Sequence, residues 1–206
     1  MIYIIDDEDP VRDSLGWLLR SRSMPSMAFD SAEAFLAALD AGSIDPSRPG
    51  CILLDVRMAG LSGAELFERL QGSGRCRAWP VIFLTGHGDV PLAVDVLKGG
   101  AFDFVEKPFN DNSLADLLAT ALVESEHRLD SVRSRKSLDQ QLAALTARER
   151  QVMDLIIEGH YNKVVADRLG IAMRTVEVYR ARLFGKMGVK SAVELAARVA
   201  SRKSED

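Results

Sequence analysis

The 206-residue sequence predicts a doubly wound five-stranded parallel α/β sheet followed by a small all-α module of four helices that contains a helix-turn-helix. Three observations predict it. Four short apolar runs and a weaker fifth alternate with helical patterns over residues 1–120. The charge changes sign along the chain, from 10 Lys+Arg against 18 Asp+Glu in residues 1–120 (a balance of −8), through 4 and 4 in 121–140, to 12 and 8 in 141–206 (+4), beneath an overall −4. The last stretch also carries two Ser/Thr-x-x-Glu capping boxes and glycine stops at helical spacing.

Composition excludes other classes. A hydrophobic content of 47% with mean hydropathy near zero is that of a folding chain, not a disordered one. No apolar run approaches the roughly 18 residues that cross a bilayer, so no membrane partner is expected. The start, Met1 to Asp7, lacks the basic and long apolar regions of a signal peptide. Cys51 and Cys76 match no metal or redox spacing and read as reduced thiols of a cytoplasmic protein.

The elements follow in order. Residues 2–5, 51–54, 81–84 and 102–105 are strand-length runs that mostly lack polar alternation, as strands buried on both faces do; residues 27–29 make the weaker fifth. Between them, residues 10–20 place Val11, Leu15, Leu18 and Leu19 at helical spacing, with Pro10 in the first turn. Helical patterns over 31–39, 62–70 and 89–97 complete the alternation, and the crossovers are right-handed. From Leu114 the apolar spacing stays helical, and no Gly or Pro interrupts 112–144, so residues 121–140 form a helical linker with a break expected near 134–137. In the last domain, 141–206, Thr146 and Glu149 open a helix that stops at Gly159. A second spans 162–169 and stops at Gly170, a third spans about 174–187 and stops at Gly188, and Ser191 with Glu194 opens a fourth.

Polar residues fall where the apolar runs end: Asp6 and Asp7 after the first, Asp55 after the third, Thr85 after the fourth, and Lys107 beyond the fifth. One Asp after a strand is usually a turn or cap. Three carboxylates, a hydroxyl and an ammonium delivered to the carboxyl edge of one sheet, where α/β ligands bind, point to a site. Clustered carboxylates suit a hard cation such as Mg²⁺ sharing a phosphate. One carboxylate can act as nucleophile to form an aspartyl phosphate, with the ammonium and hydroxyl positioning the phosphoryl oxygens.

The motifs I-I-D-D-E, I-L-L-D-V-R-M, F-L-T-G-H and F-V-E-K-P-F resemble a response-regulator receiver domain over residues 1–120, which has a flavodoxin/CheY-like fold. The resemblance implies Asp55 as phosphoacceptor, and Asp6, Asp7, Asp55 and the main-chain carbonyl of Arg57 as ligands of Mg²⁺, with Mn²⁺ as an alternative. It implies Thr85 and Lys107 as phosphate contacts and Phe104 as the aromatic switch, a role compatible with an ordinary core position. Ala59 stands where the family usually has Pro, which would loosen the Arg57 carbonyl. His87 reads either as a tuner of phosphoryl hydrolysis or as an exposed loop residue.

In the last domain, Arg174, Arg180, Arg182, Lys186 and Lys190 gather on or beside the third helix and could neutralise phosphates, or simply form a solvated basic face. L-T-A-R-E-R-Q-V, G-H-Y-N-K-V-V-A-D-R-L-G-I, R-T-V-E-V-Y-R and K-M-G-V-K-S resemble a LuxR-type DNA-binding domain. With the receiver they resemble the NarL/FixJ class, and FixJ-type members in particular. By position, Glu177, Val178 and Ala181 would face base edges, while Arg174, Thr175, Arg180, Arg182 and Lys190 would grip phosphates and Lys163 touch backbone. Ala172 replaces the usual Ser before the recognition helix, and Tyr179 replaces a common His, able to reach a phosphate or to pack inside.

The function implied is that of a two-component response regulator. A sensor histidine kinase phosphorylates Asp55, which controls homodimerisation and sequence-specific binding of double-stranded DNA. Transcription is thereby regulated through RNA polymerase, with activation as the expected sense. The chain would not be an enzyme, although it would assist its own dephosphorylation. A phosphatase with an aspartate nucleophile is disfavoured, because Arg57 occupies the place of its second acid. A DNA-binding protein with a constitutively dimerising first domain is disfavoured by the complete Asp6, Asp7, Asp55, Thr85, Lys107 set.

Overall fold

The computed structural model describes residues 1–86 and 90–203, without the side chains of 90–93 and 201–203. The chain divides into two compact units, Met1–Asp130 and Ser131–Asp206.

The first unit is the five-stranded sheet, all parallel, in the order β2-β1-β3-β4-β5. Its strands are β1 (Ile2–Ile5), β2 (Ser26–Phe29), β3 (Cys51–Asp55), β4 (Val81–Thr85) and β5 (Asp103–Glu106). Helices α1 (Asp9–Ser21), α2 (Ala32–Asp40), α3 (Gly63–Ser73) and α4 (Val90–Lys98) connect them. The strand period of two divides the core between the two sheet faces. Tyr3, Ile5, Ile52, Leu54, Val81 and Phe83 join one cluster with Phe35, Leu66 and Phe67. Ile2, Ile4, Cys51, Leu53, Ile82 and Leu84 join the other with Leu15, Leu19, Leu114 and Leu118. Burial on both faces explains the unbroken apolar runs of β1, β3 and β4, and the half-exposed edge strand β2 explains the weaker signal at 27–29.

Capping follows from local sequence. Ser31 accepts from the Ala34 amide to open α2, and Ser62 with Glu65 makes a complete capping box on α3. Between β1 and β3 the connections leave on opposite sides of the sheet, so the carboxyl ends of these two strands border the crevice at the switch point.

Helix α5 (Asp111–Ala143) runs 33 residues without a break at 134–137, contrary to expectation. The stretch holds no Gly or Pro to end it, and Leu138 and Leu142, one turn apart, are buried in the core of the second unit. That unit adds α6 (Ala147–Ile157), α7 (Asn162–Leu169), α8 (Met173–Met187) and α9 (Ala192–Lys203). Val152, Met153 and Ile156 of α6, Val165 of α7, Val176, Leu183 and Met187 of α8 and Leu195 of α9 form its core. Gly170, in the left-handed region at φ 63°, ends α7 and makes the tight turn into α8. The capping box at Thr146–Glu149 is complete. At the start of α9 the Glu194 amide donates to Ser191 Oγ at 3.1 Å, but the Glu194 carboxylate accepts from the Lys190 amide at 2.8 Å, one residue before the cap.

Candidate functional site

The carboxyl ends of β1, β3, β4 and β5 bring Asp6, Asp55, Thr85 and Lys107 to one edge of the sheet. Asp6 is fully buried, and Asp55 and Thr85 are nearly so. The Lys107 amide donates to the Thr85 carbonyl at 2.8 Å, which anchors the lysine at the end of the β4–β5 ladder. Its ammonium donates to Asp55 Oδ1 at 2.6 Å and to Asp6 Oδ2 at 2.8 Å. The second oxygen of Asp55 accepts from the Arg57 amide at 2.8 Å, and Asp6 Oδ1 accepts from the Glu8 amide at 2.9 Å. Thr85 Oγ1 donates to the Gly86 carbonyl at 3.2 Å.

Two carboxylates and one ammonium leave this buried cluster a net negative charge. Burial, reinforced by the neighbouring Asp6, pushes the Asp55 carboxyl above its usual range, and the bond and charge of Lys107 only partly offset this. For Lys107 burial disfavours the ammonium, but its hydrogen bonds to Asp55 and Asp6, with their charges, prevail and hold it more basic than usual.

Asp7 is exposed, and its Oδ2 accepts from the Ala59 amide at 3.0 Å, a bond that a Pro at 59 could not donate. Phe104 is half-buried on β5, beside Phe83 in the register, and packs on the sheet core. His87 lies outside the described residues.

As a donor set, the hard oxygens of Asp6, Asp7 and Asp55 on a negative edge fit Mg²⁺. Among the described residues no three His, Cys, Asp or Glu side chains are gathered closely enough to hold a metal in the present arrangement. Lys107 bridges two of the three carboxylates, and Ala59 holds the third.

Two contributors to this edge carried no obvious sequence signal. A Cβ on Gly63, the first residue of α3, would stand 2.1 Å from the Asp55 carbonyl oxygen, so only glycine lets α3 start this close to the end of β3. Glu33 of α2 accepts from the Leu61 amide at 3.0 Å and fastens the β3–α3 loop.

In the second unit, α8 buries Val176, Leu183 and Met187 and turns Arg174, Glu177, Val178, Ala181 and Arg182 outward, spaced as one face of a helix. Lys163 and Lys190 are exposed, and Thr175 is half-buried. Tyr179 packs inside against the core. Ala172 caps α8 without a side-chain bond. Arg180 is half-buried, and its Nη1 donates to Asn162 Oδ1 at 3.1 Å. Lys186 is exposed too, but its ammonium is already paired: it donates to the buried Glu149 carboxylate at 2.7 Å and to the Ala144 carbonyl at 3.0 Å. Tyr161, the cap of α7, is 83% exposed, and Met173, the first residue of α8, is 52% exposed; neither carried a signal in the sequence.

Comparison with known proteins agrees with both halves. Residues 2–119 match the family described as response regulator receiver domain, and residues 143–199 match the bacterial regulatory proteins, luxR family. The C4-dicarboxylate transport transcriptional regulatory protein DctR of Rhodobacter capsulatus is 48% identical over 195 residues, 95% of this chain and 96% of that protein. The transcriptional regulatory protein FixJ of Bradyrhizobium diazoefficiens is 43% identical over 194 residues, covering 94% and 91%. Among solved structures, the response regulator StyR superposes with a TM-score of 0.85 at 37% identity, covering 97% of this chain and 98% of that one. Full-length FixJ from B. japonicum gives 0.59 at 41% identity, covering 100% and 98%. No helix among the described residues is long and apolar enough to cross a membrane.

Proposed function

The chain belongs to the response-regulator family, joining a receiver domain to a LuxR-type DNA-binding domain as its transcription-regulator relatives do, and we propose that phosphoryl transfer to Asp55 controls its binding to DNA. The reading is carried by the Lys107 ammonium bridging Asp55 and Asp6 at the ends of adjacent strands. It is a regulator of transcription and not an enzyme that turns over a substrate pool.

In the proposed step, a carboxylate oxygen of Asp55 attacks the phosphorus of a phosphohistidine on the partner kinase. The N–P bond breaks, and its electron pair returns to the imidazole as the acyl phosphate forms. Lys107 stays beside Asp55 and offsets the added negative charge. Asp6, Asp7, Asp55 and the Arg57 carbonyl would hold Mg²⁺ or Mn²⁺, which supplies further positive charge to the phosphoryl oxygens. The Thr85 hydroxyl exchanges the Gly86 carbonyl for a phosphoryl oxygen, and the Phe104 ring turns inward behind it. Attack of water on phosphorus, assisted by the same residues, returns Asp55 and inorganic phosphate.

Phosphorylation then favours a homodimer whose two DNA-binding domains meet half-sites about one helical turn apart. Glu177, Val178 and Ala181 face base edges, and Arg174, Thr175, Arg180, Arg182, Lys163 and Lys190 hold phosphates. The bound dimer acts on RNA polymerase in the cytoplasm, as an activator. Domain limits of 1–120, 121–140 and 141–206 serve this reading.

The test uses acetyl phosphate and Mg²⁺ as donor and cation. Wild type is expected to gain one phosphoryl group by intact mass, and Asp55→Asn none; labelling of that variant would overturn the assignment. Beryllofluoride with Mg²⁺ is expected to raise both the mass by light scattering and the affinity for duplex DNA. No change in either would favour a constitutive dimerisation module.

A further inference from the structure

We propose that Asn162 and Phe184 are positioning residues for Arg180, holding its guanidinium ready for a DNA phosphate. The inference rests on the DNA-binding reading of the second unit and goes beyond it by separating one arginine from the others.

Two basic side chains of α8, half-buried Arg180 and exposed Lys186, are held in opposite ways. Lys186 is bound by a buried carboxylate, so Glu149 neutralises its charge. Arg180 is held by neutral groups: Nη1 donates to Asn162 Oδ1 at 3.1 Å, and the guanidinium lies over the Phe184 ring, 5.0 Å from its centroid. Among the described residues, Arg180 makes no ion pair. A ring face and an amide oxygen orient a guanidinium but leave its full charge available to an anion.

The chemistry of the pair narrows the ligand. A guanidinium has five donors and no acceptor, so Asn162 must turn its oxygen towards Arg180 and its NH₂ away. The remaining N–H groups of Arg180 are all donors, which suit a phosphodiester oxygen and offer nothing to a cation. Asn162 begins α7 next to exposed Lys163, so the clamp joins the first helix of the helix-turn-helix to the second.

Order is the advantage. Arg174 and Arg182 are exposed, and a long exposed side chain loses rotamer freedom when it grips a phosphate. Arg180 has given up much of that freedom on folding, so a contact by it costs less at binding.

The experiment uses the full chain and a fluorescent 30-base-pair duplex of random sequence, with affinity read by anisotropy between 50 and 200 mM salt. Arg180→Ala is expected to reduce the slope of log affinity against log salt by about 0.9 for each bound domain. Asn162→Ala and Phe184→Leu should each weaken binding roughly two- to fivefold, as for loss of one exposed cation–π or hydrogen-bond contact. Neither should weaken it further in an Arg180→Ala background. Phe184→Trp, which keeps a ring, should bind as wild type does. Combining Asn162→Ala with Arg182→Ala should be additive.

Calorimetric melting accompanies each variant. An unchanged salt slope in Arg180→Ala with a lowered melting temperature would reduce Arg180 to a strut between α7 and α8. Equal losses for Asn162→Ala with and without Arg180 would make Asn162 an independent contact. Either result overturns the proposal. Failure of the wild type to bind the duplex in a salt-dependent way would instead sink the DNA-binding reading itself.

Discussion

The Lys186 ammonium on α8 lies 2.7 Å from Oε2 of Glu149 on α6, a carboxylate whose side chain is only 4% exposed. The same oxygen accepts from the Thr146 amide at 2.8 Å and the Thr146 hydroxyl at 3.0 Å, so the cap of α6 and the end of the recognition helix share one anion. The Lys186 bond to the Ala144 carbonyl draws in the residue that follows α5.

This arrangement predicts an acid dependence of the second unit. The hydrogen bond from Lys186 and then that from the Thr146 amide hold the Glu149 carboxyl at about 2, well below its ordinary 4.5. A depressed folded value means that the contribution is present above about 4.5 and is lost as pH falls through about 2. Glu149→Gln should cost on the order of 1–2 kcal/mol at neutral pH, since one partner stays part-exposed. Calorimetry of wild type and variant should show the gap between their second-unit melting transitions narrowing towards pH 3. An equal gap at both pH values would contradict the ion pair.

Gly63→Ala tests how closely α3 approaches the phosphoacceptor strand. Alanine is the better helix former by about 1 kcal/mol, which alone would stabilise α3. Its Cβ would stand 2.1 Å from the Asp55 carbonyl oxygen, and a backbone atom cannot swing aside as a side chain can. Overpacking of this kind costs about 1–3 kcal/mol or more, so a net loss is expected. Urea unfolding followed by the buried Trp79 should show a lower midpoint, and labelling of Asp55 by acetyl phosphate should slow. A midpoint at or above that of wild type would show that the loop yields without strain.

The contrast between these two positions shows what was readable in the chain. β1, β3 and β4 were plain because strands covered on both faces need apolar residues throughout, and the polar residues that ended them had to lie at the sheet edge. Asp6, Asp55, Thr85 and Lys107 were legible by that argument alone. Glu149 was legible as a capping residue, because its partner Thr146 is three positions away, but its second partner is 37 positions away and left no periodic trace. Lys186 consequently read as one more cation able to neutralise a phosphate, with no sign that Glu149 already pairs it. Gly63 looked like an ordinary helix start, since the atom that excludes a side chain belongs to another segment. The continuity of α5 was visible as missing breakers, whereas the expected break near 134–137 had only polar composition behind it.

Lys107 is the one cation bonded to both buried carboxylates of the sheet edge among the described residues. Lys107→Met keeps the bulk of the side chain and leaves Asp6 and Asp55 without that compensation. Removing one partner from a buried ion pair costs about 3 kcal/mol or more, so the urea midpoint of the first unit should fall clearly at neutral pH. The variant should also lose acceptance of a phosphoryl group from acetyl phosphate. Unchanged stability would mean that solvent already screens the cluster.

Ala172→Ser should move the second unit the other way. Ala172 occupies the cap of α8 with φ −67° and ψ 146°, extended angles that suit a capping residue, yet it has no side-chain oxygen to bond the first-turn amides. Its carbonyl already accepts from the Thr175 amide at 2.9 Å and the Val176 amide at 3.2 Å, so the backbone is in place and only the acceptor is lacking. Residue 172 is exposed, and a serine hydroxyl adds little volume. Replacing a poor cap by Ser contributes about 0.5–1 kcal/mol, a rise of a few degrees for a domain of this size. The melting temperature of the second unit by calorimetry checks it. A cap acts on the folded helix and adds no phosphate-neutralising charge, so the salt slope of DNA binding should stay that of wild type; a steeper slope would indicate a new backbone contact instead of a cap.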